Sequence, residues 1–149
     1  MKEETTEHTS RSPEGTIEFG RQLAAQLRAP MLVLLRGDLG TGKTTLVKGI
    51  AEGFRAAKQE DVTSPTFTLV HEYRAPDVTL YHIDLYRIDT QKELDTLALD
   101  DLMTNDSILL IEWGEKFARF RDERDVEISI ERVAENDRKI TIKDKKGGG

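Results

Sequence analysis

Two unbroken apolar runs organise the hydrophobic pattern of this chain. Residues 31–35 form one, bounded by Pro30 and Gly37, and residues 108–111 form the other, ending at Glu112. Short continuous runs of this kind predict central strands covered on both faces. After the first run, Leu46, Val47, Ile50, Ala51 and Phe54 fall on one face of a helix over about residues 43–55. Upstream, Ser12 before Pro13 is an N-cap followed by proline at the first helical position. Ile17, Leu23, Ala24 and Leu27 give that helix its buried side, and Pro30 stops it. Residues 67–73 and 78–84 are β-rich and separated by Arg74, Ala75, Pro76 and Asp77, which predicts a hairpin. Residues 90–103 carry Leu94, Leu97, Ala98 and Leu102 and read as one helix capped by Asp89 or Thr90. Val126, Ile128 and Ile130 alternate with polar residues, as do Ile140 and Ile142. These predict a closing antiparallel pair turned at Glu135, Asn136 and Asp137.

Length and composition narrow this to one folded unit. The 149 residues suit a single core. The expected organisation is a flexible segment at 1–11, a folded domain at 12–143 and a disordered tail at 144–149. No strand is legible in the polar opening MKEETTEHTSR, although an edge strand there would leave no mark in the pattern. Hydrophobic residues at 37% and charged residues at 34% describe a well-wetted globular surface. No apolar run approaches a helical membrane span, no secretory signal is visible at the N-terminus, and with no cysteines neither disulfides nor cysteine-zinc sites are possible. A cytoplasmic location is the expectation. The net charge of −6 repels a phosphate backbone unless basic residues are segregated. If RNA matters to this chain, a partner protein supplies the basic surface.

The strongest chemical signal lies between the first apolar run and its helix. Gly37-Asp38-Leu39-Gly40-Thr41-Gly42-Lys43-Thr44 fits G-x-x-x-x-G-K-[ST]. Glycines let the backbone turn with positive φ and bring N–H groups against phosphate oxygens, while the helix N-terminus favours the same anion. Lys43 reaches the β and γ phosphates and the Thr44 hydroxyl ligates magnesium. A strand ending in Glu112 after such a loop places a carboxylate beside that magnesium. The fold class is therefore α/β, phosphate-loop-NTPase-like, with an antiparallel hairpin and a C-terminal strand pair. An N-K-x-D guanine signature is absent, so ATP with Mg2+ is the default ligand.

Three further stretches carry polar chemistry. Ser64 and Thr66 stand on a loop constrained by Pro65, where they meet the γ-phosphate or its metal, or else simply form a turn. Asp84 ends the second hairpin strand and shares a strand face with His82. It is a water-orienting base, an outer magnesium partner, or the acid of a surface ion pair with Arg87. His82 reads as a hydrogen-bonded structural residue. Trp113, the one tryptophan, belongs either to the core or to stacking at a site or interface.

GDLGTGKTT, TSPTFTLVHEY, YHIDLYR and LLIEWGE, in this order and spacing, resemble the bacterial tRNA threonylcarbamoyladenosine biosynthesis ATPase family, TsaE. The resemblance spans roughly residues 16–133. It implies a mixed β-sheet flanked by helices, and a slow Mg-dependent ATPase that assembles with TsaD and TsaB and reaches tRNA indirectly, through the complex. Threonylcarbamoyl-adenylate would be made elsewhere, and ATP use here would reset the complex for further turnover. By motif position, Asp38, Leu39, Gly40, Thr41, Gly42, Lys43, Thr44 and Thr45 hold nucleotide, with Thr16 and Trp113 beside it. Thr44 and Glu112 are the implied metal residues, Lys43 and Asp84 the catalytic ones, and Ser64 and Thr66 the switch-like loop. The alternatives are a phosphate-loop small-molecule kinase and a nucleotide-gated binding module that needs no hydrolysis.

Overall fold

The two apolar runs become the middle of a seven-stranded sheet in the computed structural model, which describes residues 3–38 and 40–145. The elements are β1 (Glu4–Ser10), α1 (Pro13–Ala24), β2 (Met31–Arg36), α2 (Lys43–Gly53), β3 (Val70–Arg74), β4 (Thr79–Asp84), α3 (Gln91–Thr96), β5 (Ser107–Glu112), α4 (Ala118–Glu123), β6 (Val126–Arg132) and β7 (Arg138–Asp144). Strand order is β1-β7-β6-β2-β5-β4-β3. The central four, β6, β2, β5 and β4, run parallel, and the outer pairings are antiparallel. Val33, Leu34 and Leu35 have no exposed surface because both sheet faces are covered. On one face Val33, Leu35, Leu80 and Leu110 pack with Leu46, Val47 and Ile50 of α2 and Leu23 of α1. On the other, Leu34, Ile83 and Ile111 pack with Leu94, Leu99 and Phe120. The strands β2, β4 and β5 thus feed residues to two cores, one on each face.

The helices obey local chemistry. Ser12 caps α1 by accepting from Gly15 N–H at 3.0 Å, with Pro13 at the start. Thr90, rather than Asp89, caps α3 in a reciprocal capping box with Glu93. Where α1 crosses α2, a methyl group on Gly49 would lie 2.0 Å from the Ile17 carbonyl oxygen, and one on Gly20 2.6 Å from that of Leu46. Only glycines permit this approach, which fixes the helix that begins at the phosphate loop.

Four expectations are corrected. The segment expected to be flexible contains β1, paired residue by residue with β7 from Glu4↔Asp144 to Ser10↔Arg138. Six of its seven side chains are exposed, so backbone pairing with β7, helped by His8 stacking on Phe19, rather than apolar burial makes it a strand. The single helix expected at 90–103 breaks at Ala98, whose φ is 50°, and resumes as a short 3-10 turn at Leu99–Leu102. The first hairpin strand starts at Val70 rather than at residue 67, because the chain turns first: Leu69 N–H donates to the Pro65 carbonyl at 2.6 Å. At the C-terminus, Asp144 ends β7 and Lys145 N–H donates to the Asp125 carbonyl at 3.0 Å. The remainder of the expected tail, 146–149, and Leu39 of the loop lie outside the described residues. No helix among the described residues is long and apolar enough to cross a membrane.

Candidate nucleotide-binding site

The carboxyl ends of the parallel strands gather the chemistry, as strand direction in an open α/β sheet requires. Parallel pairing sets Leu35 of β2 against Glu112 of β5, and Glu112 against Asp84 of β4. The loop leaves β2 at Gly37 and enters α2 at Gly42, whose φ is 109° and which stands at the helix N-cap without a side-chain cap. The first-turn N–H groups of α2 therefore remain available to an anion. Gly40 has φ 80°, and a side chain there would meet nothing within 4 Å. These glycines are needed for backbone shape.

One cleft of about 340 Å³ is lined by Gly40, Gly42, Lys43, Thr44, Thr45, Ser64, Thr66, Asp84 and Glu112. Residues from four separate sequence motifs thus share one space. Lys43, 6% exposed, donates from Nζ to the Gly37 carbonyl at 2.5 Å and lies 3.4 Å from Glu112 Oε1. Its ammonium also stands 4.8 Å from the centre of the Trp113 ring. Trp113, at φ 64°, holds its indole between Lys43 and Tyr86, whose ring centre is 5.2 Å away. Trp113 also packs against the core cluster of Leu34, Ile83 and Ile111, so it joins core contact to the edge of the loop.

Glu112 is buried and ends β5. Its Oε2 accepts from His82 Nε2 at 2.5 Å. Burial pushes its carboxyl upward, but the His82 hydrogen bond, the charge His82 can carry and the Lys43 ammonium together hold it below the usual carboxylate range. His82 has the structural, hydrogen-bonded character expected of it, and that role bears directly on the strand-end acid. Asp84 is also buried. Its Oδ2 accepts from the Thr66 hydroxyl at 3.0 Å and its Oδ1 from Tyr86 N–H at 2.8 Å. The proposed surface ion pair with Arg87 is not formed: Asp84 is inside, and the Arg87 guanidinium lies 4.4 Å over the Phe67 ring. Ser64 bonds Thr66 at 2.7 Å, so the switch-like loop is tied through two hydroxyls to Asp84.

The remaining sequence candidates lie around the loop. Thr41 donates its N–H and hydroxyl to the Asp38 carbonyl at 3.3 and 2.9 Å, making a turn inside the loop. Thr16 and Thr45 line a smaller recess of about 70 Å³ on the far side of Gly42, with Ser12, Asn136 and Arg138. Sequence reasoning missed Ser10, Arg138 and Lys116. Lys116 Nζ donates to the carbonyls of Leu85 and Tyr86 at 3.0 and 3.1 Å, fixing the chain just after Asp84. None of the three belongs to a periodic pattern or short motif, so no signal pointed to them.

The donor set fits a hard cation. Thr44 hydroxyl, Glu112 and Asp84 offer only oxygens, and no group of three or more His, Cys, Asp or Glu side chains placed to hold a metal occurs among the described residues. Magnesium favours such sparse protein ligation, completing its octahedron with water and phosphate.

A glycine loop between a central parallel strand and a helix, facing two strand-end carboxylates, defines a phosphate-loop α/β protein. The sequence model of the family described as Threonylcarbamoyl adenosine biosynthesis protein TsaE matches residues 10–140, and the chain belongs to that family. It is 40% identical over 120 residues to the tRNA threonylcarbamoyladenosine biosynthesis protein TsaE of Haemophilus influenzae, covering 77% of this chain and 75% of that one. With the protein of the same name from Treponema pallidum it shares 37% identity over 133 residues, 89% of this chain and 96% of the other. The crystal structure of Bacillus subtilis YdiB superposes with a TM-score of 0.73 at 28% identity, over 97% of this chain and 88% of that one.

Proposed function

We propose that this chain binds ATP with Mg2+ and hydrolyses it slowly, as the subunit that lets a tRNA threonylcarbamoyladenosine-forming complex with TsaD and TsaB turn over repeatedly. The convergence of Lys43, Thr44, Thr66, Asp84 and Glu112 on one cleft carries this reading. The α2 N-terminus and the Lys43 ammonium hold the triphosphate. Thr44 and Glu112 hold magnesium, which when bound would neutralise charge developing on the phosphate oxygens. Asp84 is fixed on two sides by Thr66 and Tyr86, and so presents its carboxylate in one orientation to a water. Because Thr66 belongs to the 64–66 loop, any change in that loop alters the group that orients Asp84. A partner that moves or holds this loop would therefore change the rate of turnover.

Two substitutions test the site. Lys43→Ala abolishes ATP binding measured by calorimetry, and Asp84→Ala keeps binding while losing turnover. Equal affinity in wild type and Lys43→Ala would end the phosphate-loop assignment, and full turnover in Asp84→Ala would end the role of that acid. For the larger function, TsaD, TsaB, threonylcarbamoyl-adenylate and tRNA are combined and modification cycles counted. Multiple cycles are expected only with this chain present; a single cycle in both cases contradicts the proposal.

One observation favours a gated-binding reading beside it. Phe67, adjacent to Thr66, is 79% exposed and is available as a contact that loop order controls. Under that reading the modification cycles persist in Asp84→Ala, whereas the hydrolytic reading requires their loss.

A further inference from the structure

Two residues that no motif contains meet at a single rung of the sheet edge, where Ser10 of β1 pairs with Arg138 of β7. Arg138 donates from Nε to the Thr41 carbonyl at 2.8 Å, 97 residues away in the phosphate loop. One of its terminal nitrogens donates to the carbonyls of Ala134, Glu135 and Asp137 at 3.3, 3.1 and 3.2 Å, so the β6–β7 turn and the guanidinium hold each other. These acceptors are all carbonyls, and the neighbouring carboxylate of Asp137 pairs with Arg11 at 3.8 Å instead. Arg138 therefore keeps a positive field beside the loop. A trans peptide points its C=O and the next N–H in opposite directions. Holding the Thr41 carbonyl toward Arg138 consequently aims the Gly42 N–H away from it, and Gly42 lines the main cleft.

The other member of the rung acts on the opposite wall. Ser10 Oγ and Thr16 Oγ1 are 2.6 Å apart and both residues are buried, at 3% and 2% exposure. Thr16 and Arg138 both line the small recess, which shares Gly42 and Thr45 with the main cleft. Hydroxyls, the Asn136 side chain and a guanidinium line this recess, with no carboxylate among them. Such walls suit the sugar and the phosphate nearest it.

We propose that the Ser10–Arg138 rung is a positioning device for the nucleoside half of the bound nucleotide, with Arg138 setting the loop peptide and Ser10 setting Thr16. This rests on the ATP-binding reading above. It also gives the edge strand β1 a functional task, because its last residue orders a wall of the cleft.

The test uses the full chain with MgATP as the probe, by calorimetry and steady-state hydrolysis. Arg138→Ala raises KM for ATP about tenfold, the size expected for losing one charge-assisted hydrogen bond, with kcat within about twofold of wild type. Guanidinium ion added at a non-denaturing concentration restores KM in Arg138→Ala and leaves wild type unchanged. Ser10→Ala raises KM about threefold, as for a neutral hydrogen bond. An unchanged KM in Arg138→Ala overturns the proposal, and so does a rise that guanidinium does not reverse. If Arg138→Ala fails to fold, Arg138→Lys decides: it keeps the charge, and a KM about threefold above wild type supports the proposal whereas a wild-type KM refutes it. Absence of MgATP binding by wild type would instead refute the nucleotide reading itself. Wild-type binding, a blank Lys43→Ala and an unaltered Arg138→Ala would remove this inference alone.

Discussion

A carboxylate only 4% exposed, as Glu112 is, gives up hydration worth several kcal/mol and needs that loss offset by fixed partners. His82 and Lys43 are those partners, at 2.5 and 3.4 Å. Folding lowers the pKa of Glu112, so the unfolded chain binds this proton more tightly than the folded one. The stability Glu112 contributes is therefore complete above the ordinary carboxylate range and drains away as pH falls through the lower folded value. Urea unfolding near neutrality and again at about pH 4 reads this directly. The wild type loses more stability between the two conditions than Glu112→Gln does; equal losses would contradict the assignment. His82→Phe, which leaves Glu112 buried without its hydrogen-bond donor, costs about 3 kcal/mol near neutral pH in the same assay. A cost below about 1 kcal/mol would mean that Lys43 alone suffices.

Among the elements, the α1–α2 crossing has the greatest leverage on the cleft, because α2 starts at Lys43. Replacing Gly49 by alanine sets a methyl group against the Ile17 backbone, which cannot rotate aside as a side chain can. The helices must separate, and Gly49→Ala is expected to cost about 3 kcal/mol in urea unfolding while weakening ATP binding through the displaced N-terminus of α2. Unchanged stability would show that the crossing yields freely. Nothing in the sequence singled out Gly49, since its close contact lies 32 residues away along the chain and depends on how two helices meet. Other elements were legible because local physics determines them. The runs at 31–35 and 108–111 read as buried strands and Ser12-Pro13 as a helix start, and each is one. β1 was not legible, because its residues ETTEHTS have no apolar side to display. The break at Ala98 was hidden for the opposite reason: the leucine pattern on both sides continues across it while one residue takes a left-handed backbone. In the cleft, Lys43, Thr44, Asp84 and Glu112 were readable from motifs, whereas Arg138 was not, since its significance is a single bond to a loop far away in sequence.

Taken whole, the molecule carries 28 acidic against 22 basic side chains, a balance that works against the RNA its family serves. Many of the basic groups are also committed. Arg21, Arg74 and Arg119 pair with Glu52, Glu72 and Asp100, Lys43 pairs with Glu112 inside the cleft, and Arg138 is bonded to the Thr41 carbonyl. Binding of tRNA through backbone phosphates requires several free lysines or arginines on one face, and it weakens steeply with salt as counterions are released. A surface of net charge −6 reverses that attraction unless a partner provides the positive face. The isolated chain is therefore expected to show no tRNA binding in fluorescence anisotropy at protein concentrations of about 10 μM, at low or at moderate salt. Adding TsaD and TsaB, the proposed partners, should bring it onto the tRNA without making its own contacts salt-dependent, so charge reversal of half-buried Lys139 should leave complex assembly on tRNA unchanged. Salt-sensitive binding by the chain alone would place a nucleic-acid surface on this molecule and replace the proposed nucleotide-driven timing role with direct reading of the substrate.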